Sequence, residues 1–274
     1  MGIKKMEIIR VILKIIMWFL IIEFSCNFVM QTISYSFYKK AKDKTDITYT
    51  PQYVQMTGSL TGYGYNLEVN ATEIILFFGG SSYTAYNSVG SYAGAFNCPF
   101  IAADYYGTQK SRGKMNIKSM QQSATDLYDW AKRQYPEHEI VIIGHSYGTG
   151  MATYLASKYD CKALVLAAAY RNLADLYNKM TPVFWGPFEV FITNNIEVSK
   201  YAKTVACPVY VIGSESDTTL SSSLQRKVAD CFSNAQLRIF ENVNHENYMV
   251  TENVVEYIKS NTMVCSVLLT KEFT

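Results

Sequence analysis

A serine between two glycines is the residue of this sequence that is best placed for nucleophilic chemistry. The segment Gly144-His145-Ser146-Tyr147-Gly148 directly follows an apolar run and precedes a stretch of small residues. A strand, a sharp turn and a helix in that order lift a serine hydroxyl above a sheet, and the glycines avoid clashes in the tight turn. We therefore predict that Ser146 is a nucleophile. The alternative is a glycine-rich strand-to-helix turn in a nucleotide-binding fold.

A serine nucleophile needs a base, and this chain has only three histidines. His245 lies in a loop between an apolar run and the last predicted helix, where it could accept the serine proton. His145 lies inside the turn, which directs its side chain away from the hydroxyl. His138 precedes the strand that leads to the turn and so lies at the opposite end of the sheet. We predict His245 as the base.

The base needs a carboxylate to orient it, and residues 213–217 (GSESD) offer two. This loop follows an apolar run and precedes the histidine, which gives the chain order serine, acid, histidine. We predict Asp217 as the acid, with Glu215 as the alternative, because either carboxylate can orient an imidazole.

Backbone N–H groups must stabilise the oxyanion that forms when a serine attacks a carbonyl. One should come from Tyr147, the residue after the nucleophile. The second should come from residues 79–83 (GGSSY), which follow another apolar run. We favour Gly80 and then Ser81 as donors; the alternative is a plain Gly-Gly turn.

The remaining sequence predicts the elements that position these residues. Short apolar runs bounded by turn residues are typical of strands buried on both faces of a parallel sheet. They occupy residues 73–78, 100–104, 139–143, 163–168, 209–212 and 236–240. Helical spacing separates them, at residues 119–134, 148–158, 221–230 and 247–259. Residues 53–69 predict an opening hairpin. The alternation indicates an open, mostly parallel α/β sheet whose ligands bind at the carboxyl ends of the strands.

These motifs together resemble the α/β-hydrolase-domain serine hydrolases with an N-terminal membrane segment, a group that contains depalmitoylases and lysophospholipid lipases. Residues 104–113 (DYYGTQKSRG) resemble the D-Y-R-G-Y-G-x-S-x-G loop of that group, and Cys207-Pro208-Val209 followed by Gly213 and Asp217 resembles its acid segment. The resemblance implies an α/β-hydrolase fold, a doubly wound sheet with a small helical cap. This chain departs from it in having Phe78 where the group has a histidine, Tyr106 where it has an arginine, and a longer acid loop.

An insertion at residues 170–206 falls where this fold often carries a cap over the site. It is rich in large apolar side chains: Tyr177, Met180, Phe184, Trp185, Phe188 and Phe191. We expect an ester or thioester hydrolase acting through an acyl-enzyme, and an aromatic cap near a membrane segment favours a lipid or acyl-protein ester as the substrate. The aromatic residues could instead simply pack the cap on the domain. A peptidase, an acyltransferase or a catalytically silent, membrane-tethered binding module are the competing functions.

The N-terminus differs in character from the rest of the chain. Residues 11–30 are long enough and apolar enough to predict a single-pass signal anchor; a cleaved signal peptide and an amphipathic surface helix are the alternatives. We divide the chain into a segment at 1–40 and a hydrolase domain at 50–274. Lysines flank the segment on both sides, and we favour the extracytoplasmic side for the domain.

Composition excludes other classes. The net charge of +2 gives no basis for nucleic-acid binding. The six cysteines form no C-x-x-C pair, so we expect no metal site, and no cofactor motif is visible. In an exported domain one cysteine pair could be oxidised, and the sequence does not select it.

Overall fold

One mixed sheet forms the centre of the protein. The computed structural model describes residues 2–179 and 182–263, so Met180 and Cys265 lie outside the described residues. Within that part the strands are β1 (Gln52–Gln55), β2 (Thr61–Tyr65), β3 (Glu73–Phe78), β4 (Phe100–Ala103), β5 (Glu139–His145), β6 (Ala163–Ala167), β7 (Val209–Ser214) and β8 (Ala235–Phe240). Their order is β1-β2-β4-β3-β5-β6-β7-β8. The pairs from β4 to β8 are parallel, whereas β2 pairs antiparallel with β1 and β4.

The six predicted parallel strands are confirmed, with bounds that agree within two residues, and the opening hairpin predicted at residues 53–69 is confirmed as β1 and β2, which ends at Tyr65. Strands β3, β4 and β6 are buried along their whole length. That burial explains why their sequences are continuous apolar runs and do not alternate. At the edge of the sheet β8 is partly exposed at alternating positions, so its apolar pattern is weaker.

At least one helix lies in each connection between consecutive parallel strands. In the described residues they are α1 (Gly2–Lys40), α2 (Ala85–Tyr92), α3 (Ile117–Gln134), α4 (Thr149–Ala156), α5 (Leu173–Tyr177), α6 (Val198–Tyr201), α7 (Ser222–Ala229) and α8 (Glu252–Thr262). An Asn116–Ser119 capping box fixes the start of α3. The sequence prediction missed α2. It also began the last helix at residue 247, which is wrong, because Val250 and Thr251 donate backbone hydrogen bonds to Asn247 in turns before α8.

Ion pairs connect the amino ends of three parallel strands. Lys162, just before β6, lies 2.5 Å from Glu73 at the start of β3 and 2.6 Å from Glu139 at the start of β5. At the same end, the Sγ atoms of Cys161 and Cys207 are 2.9 Å apart as free thiols. The structure thus identifies the one close thiol pair among the described cysteines.

The first helix has two halves with different surroundings. Large apolar side chains are exposed over its first half, among them Ile12, Ile16 and Trp18. In its second half Met30 and Tyr38 are buried against the domain. We predicted a membrane span for residues 11–30; in the part of the chain that the structure describes, no helix has the length and apolar character needed to cross a membrane.

The insertion after β6 lies over the carboxyl ends of the strands. It contains α5, a 3-10 helix at Gly186–Phe191 and α6. Phe184 is fully buried, whereas Trp185 is 61% exposed. Phe188 and Phe191 both contact Phe19 of α1, with ring centroids 4.8 and 6.4 Å apart. Part of the apolar surface of the insertion therefore packs on the N-terminal helix, and part is exposed.

Candidate active site

The predicted turn places Ser146 at the carboxyl end of the central strand β5. Its φ is +52°, in the left-handed region that non-glycine residues rarely occupy. The surrounding structure maintains this strained backbone. The hydroxyl of Thr149 donates to the Ser146 carbonyl oxygen at 2.6 Å. A Cβ at Gly148 would lie 2.2 Å from the Phe78 carbonyl oxygen, so only glycine permits the turn to approach β3 this closely.

The structure brings His245 and Asp217 to this serine. Nε2 of His245 lies 2.9 Å from Oγ of Ser146, and Nδ1 lies 2.9 Å from Oδ2 of Asp217. Because a carboxylate only accepts, Nδ1 carries the hydrogen and Nε2 is free to accept the serine proton. The alternative acid, Glu215, is exposed and accepts a hydrogen bond from the Ser222 hydroxyl at 2.7 Å. Of the two carboxylates, Asp217 is therefore the one that contacts His245.

Four groups surround the Asp217 carboxylate. Oδ1 accepts from the backbone N–H groups of Thr219 and Leu220, both at 2.8 Å. Oδ2 accepts from His245 and, at 3.1 Å, from the hydroxyl of Tyr248. Burial by itself raises the pKa of Asp217. The hydrogen bonds from His245 and the two N–H groups outweigh burial, so the pKa is lowered and the carboxylate stays charged.

Sequence reasoning did not find Tyr248. It is fully buried, and burial together with the Asp217 charge raises the pKa of its phenol, which keeps it a donor. Its position three residues after His245 was its only signal, because we placed it in a helix and not in the turn where it faces the carboxylate.

His145 makes a contact that we did not predict. Its Nε2 lies 2.7 Å from the backbone carbonyl oxygen of His245. A carbonyl oxygen can only accept, so Nε2 of His145 carries the hydrogen. Burial, and to a smaller extent the nearby His245, lower the pKa of His145 to about 4 against opposing contributions from the His245 carbonyl oxygen and Asp217. His145 is thus a neutral donor that holds the backbone of the His245 loop.

The expected oxyanion donors share one cavity with Ser146 and His245. Gly80, Ser81 and Tyr147 line a cleft of about 460 Å³ above the serine. A Cβ at Gly80 would lie 2.9 Å from Cβ of Ser146, so this glycine lets the loop after β3 pass directly over the nucleophile. Other walls come from α1, α2 and the insertion. Among the described residues no group of histidine, cysteine and acidic side chains could hold a metal ion.

The comparisons with known proteins agree with this architecture. A family model described as "alpha/beta hydrolase fold" matches residues 78–189. A lysophosphatidylserine lipase, ABHD12, from Danio rerio is 26% identical over 146 residues, which cover 47% of this chain and 38% of that protein. The alpha/beta hydrolase domain-containing protein aho-3 from Caenorhabditis elegans is 28% identical over 129 residues, covering 46% of this chain and 37% of that protein. The matched stretch therefore spans well under half of either relative.

Solved structures extend the likeness over most of the chain. Est1E from Butyrivibrio proteoclasticus, in a complex with ferulic acid, has a TM-score of 0.60 at 18% identity, covering 77% of this chain and 98% of that one. The Pyrococcus furiosus esterase Pf2001 has a TM-score of 0.55 at 16% identity, covering 79% and 93%. At these identities the likeness shows the fold, and the expected α/β-hydrolase fold is confirmed.

Proposed function

We propose that this α/β-hydrolase-fold chain is a serine hydrolase that cleaves a carboxylic ester or thioester through an acyl-enzyme. The observation that carries the proposal is the continuous hydrogen-bonded series from Ser146 through His245 to Asp217 at the base of a cleft. A binding module would need no such arrangement, with a strained serine, a base in the accepting tautomer and an ionised acid.

Each group has a role in the proposed reaction. Ser146 Oγ attacks the substrate carbonyl while Nε2 of His245 takes its proton. The N–H groups of Tyr147 and Gly80 stabilise the oxyanion. The protonated His245 then gives its proton to the leaving alcohol or thiol, and the acyl group remains on Ser146. Water, activated by His245, releases the acid. Asp217 stays ionised throughout and stabilises the imidazolium.

An acyl lipid is the substrate class that we favour. The cleft combines a polar floor at Ser146 with apolar walls that include Met30, Phe77 and Leu176. Such a lining suits an acyl chain whose ester lies at the floor. The name of the relatives, lysophosphatidylserine lipase, supports a single-chain lipid ester.

We also propose that the first half of α1 binds a lipid surface. This proposal applies to either side of a membrane. Its exposed apolar side chains include Ile12 and Ile16, and Arg10 and Lys14 add positive charge. Flotation with anionic lipid vesicles tests this. Replacing Ile12 and Ile16 with glutamate should abolish flotation, whereas Glu7→Gln should preserve it. Equal flotation of all three proteins would refute lipid binding by this helix.

Labelling with a fluorophosphonate probe tests the hydrolase proposal. The wild-type chain should be labelled, and Ser146→Ala and His245→Ala should both lose labelling, because the probe reacts only with an activated serine. Ser233→Ala, at an exposed serine far from the cleft, is the matched control and should label as the wild type does. A folded wild-type protein that is not labelled would overturn the proposal in favour of a binding module.

A further inference from the structure

The second half of α1 is attached to the domain by specific contacts. The side chain of Asn27 donates to the Thr193 hydroxyl at 2.8 Å, and Gln31 donates to the Thr193 carbonyl oxygen. Phe24 packs edge-on against Phe191, with ring centroids 5.5 Å apart. These contacts connect the helix to the insertion over the cleft, so the helix and the cap form one cover.

Tyr38 anchors the end of this helix beside the candidate catalytic groups. It is 1% exposed, and its ring contacts those of Tyr105 and Tyr147 edge-on at 5.5 and 5.6 Å. Its hydroxyl donates to the Gly79 carbonyl oxygen at 3.5 Å. The helix therefore touches both loops that supply the expected oxyanion donors.

One face of the helix lines the cleft between these attachments. Met30, Ile33, Ser34 and Phe37 are all lining residues. Their spacing of i, i+3, i+4 and i+7 is that of a single helical face. Phe28, on the other side of the same helix, is 72% exposed. The apolar pattern of this segment is thus explained by the cleft that it faces.

We propose that residues 30–37 of the N-terminal helix form a wall of the acyl-chain site and set the chain length that the enzyme accepts. The inference deepens the proposed function and rests on it. Met30 is buried, Ile33 is half-buried and Phe37 is 46% exposed, so the wall runs from the interior of the cleft to its opening.

Activity on a series of p-nitrophenyl esters tests the wall. Ile33→Trp fills the cleft and should lower kcat/KM for dodecanoate and palmitate by about tenfold relative to butyrate. Met30→Ala enlarges the cleft and should shift the preference toward longer chains. Phe28→Trp is the matched control: it adds similar bulk to the exposed face of the same helix and should leave the chain-length profile unchanged.

The outcomes separate this inference from the proposed function. Fluorophosphonate labelling and a cooperative thermal transition are measured for every variant. The inference about the helix would be refuted if Ile33→Trp and Met30→Ala were folded and labelled but had the chain-length profile of the wild type. The proposal that the protein is a serine hydrolase would not be affected by that result. An unlabelled wild type would instead refute the hydrolase. If Ile33→Trp fails to fold, Met30→Ala alone decides, because a wild-type profile in that variant excludes a role for this helical face.

Discussion

Acid should destabilise this protein through His145, the buried neighbour of the candidate nucleophile. Its ring faces His245, with centroids 5.3 Å apart, and Tyr248, with centroids 6.0 Å apart; the Asp217 carboxylate is the nearby negative charge. Burial, and then repulsion from His245, lowers its pKa from the ordinary value of 6.5 to about 4. The folded protein therefore resists protonation that the unfolded chain accepts readily.

The sign and size of the effect follow from this shift. A histidine whose folded pKa is lowered contributes stability above its unfolded pKa, and that stability is lost as the pH falls from 6.5 toward 4. The whole shift corresponds to about 3 kcal/mol. Between about pH 7.5 and about pH 5 the expected loss is about 2 kcal/mol of unfolding free energy.

Replacing His145 with glutamine isolates the effect. The glutamine amide can still donate to the His245 carbonyl oxygen but does not titrate. Urea unfolding at about pH 7.5 and about pH 5 measures how much unfolding free energy is lost on acidification. This loss should be about 2 kcal/mol smaller in His145→Gln than in the wild type. Ser146→Ala, a substitution at the adjacent residue, should lose as much unfolding free energy on acidification as the wild type does. Equal losses in His145→Gln and wild type would refute the reasoning that His145 is buried and neutral.

Four further substitutions test the carboxylates and the tyrosine that contacts one of them. Asp217→Asn should lower kcat by roughly 10⁴-fold by favouring the wrong tautomer of the base, whereas Glu215→Gln should leave it near the wild-type value; ester hydrolysis measures both. Tyr248→Phe removes one donor to a charged group and should lower kcat/KM by about tenfold without loss of the folded state, as circular dichroism would verify. Burial raises the pKa of Asp104 to about 7, so stability is lost as the pH rises from 3.8 toward 7. Asp104→Asn should therefore raise Tm more at about pH 8 than at about pH 5; an equal gain at both would contradict this.

The sequence predicted the parts of the fold whose causes are local. Strands such as β3 and β6 are buried on both faces, which forces continuous apolar runs that can be found without a structure. The turn at Ser146 was predictable because its glycines are required by close packing against neighbouring backbone. Order along the chain then pointed to His245 and Asp217 as partners, and their geometry agrees with that hypothesis.

The parts that sequence reasoning missed depend on contacts between distant segments. Tyr38 packs on Tyr105 and Tyr147, far along the chain, and nothing local marks it as a contact of the loops beside Ser146. The apolar residues of α1 suggested only a membrane segment. An apolar helix face has the same sequence pattern whether it contacts lipid, a protein core or a substrate cleft. Tyr248 was misplaced because the turn before α8 interrupts a pattern that looks helical.

A hydrogen bond between the two histidines of the site helps to fix the position of the base relative to the candidate nucleophile. Ser146 lies in the tight turn between β5 and α4, whereas His245 lies on the loop between β8 and α8, which is not part of the sheet. The hydrogen bond from His145 to the His245 carbonyl oxygen connects that loop directly to the residue before the serine. Since His145 is neutral, this connection adds no charge that would oppose protonation of His245 during the proposed reaction. A cationic residue at position 145 would hold the same loop but would repel the imidazolium that forms on the base in the proposed reaction, so a neutral donor is the side chain that satisfies both requirements.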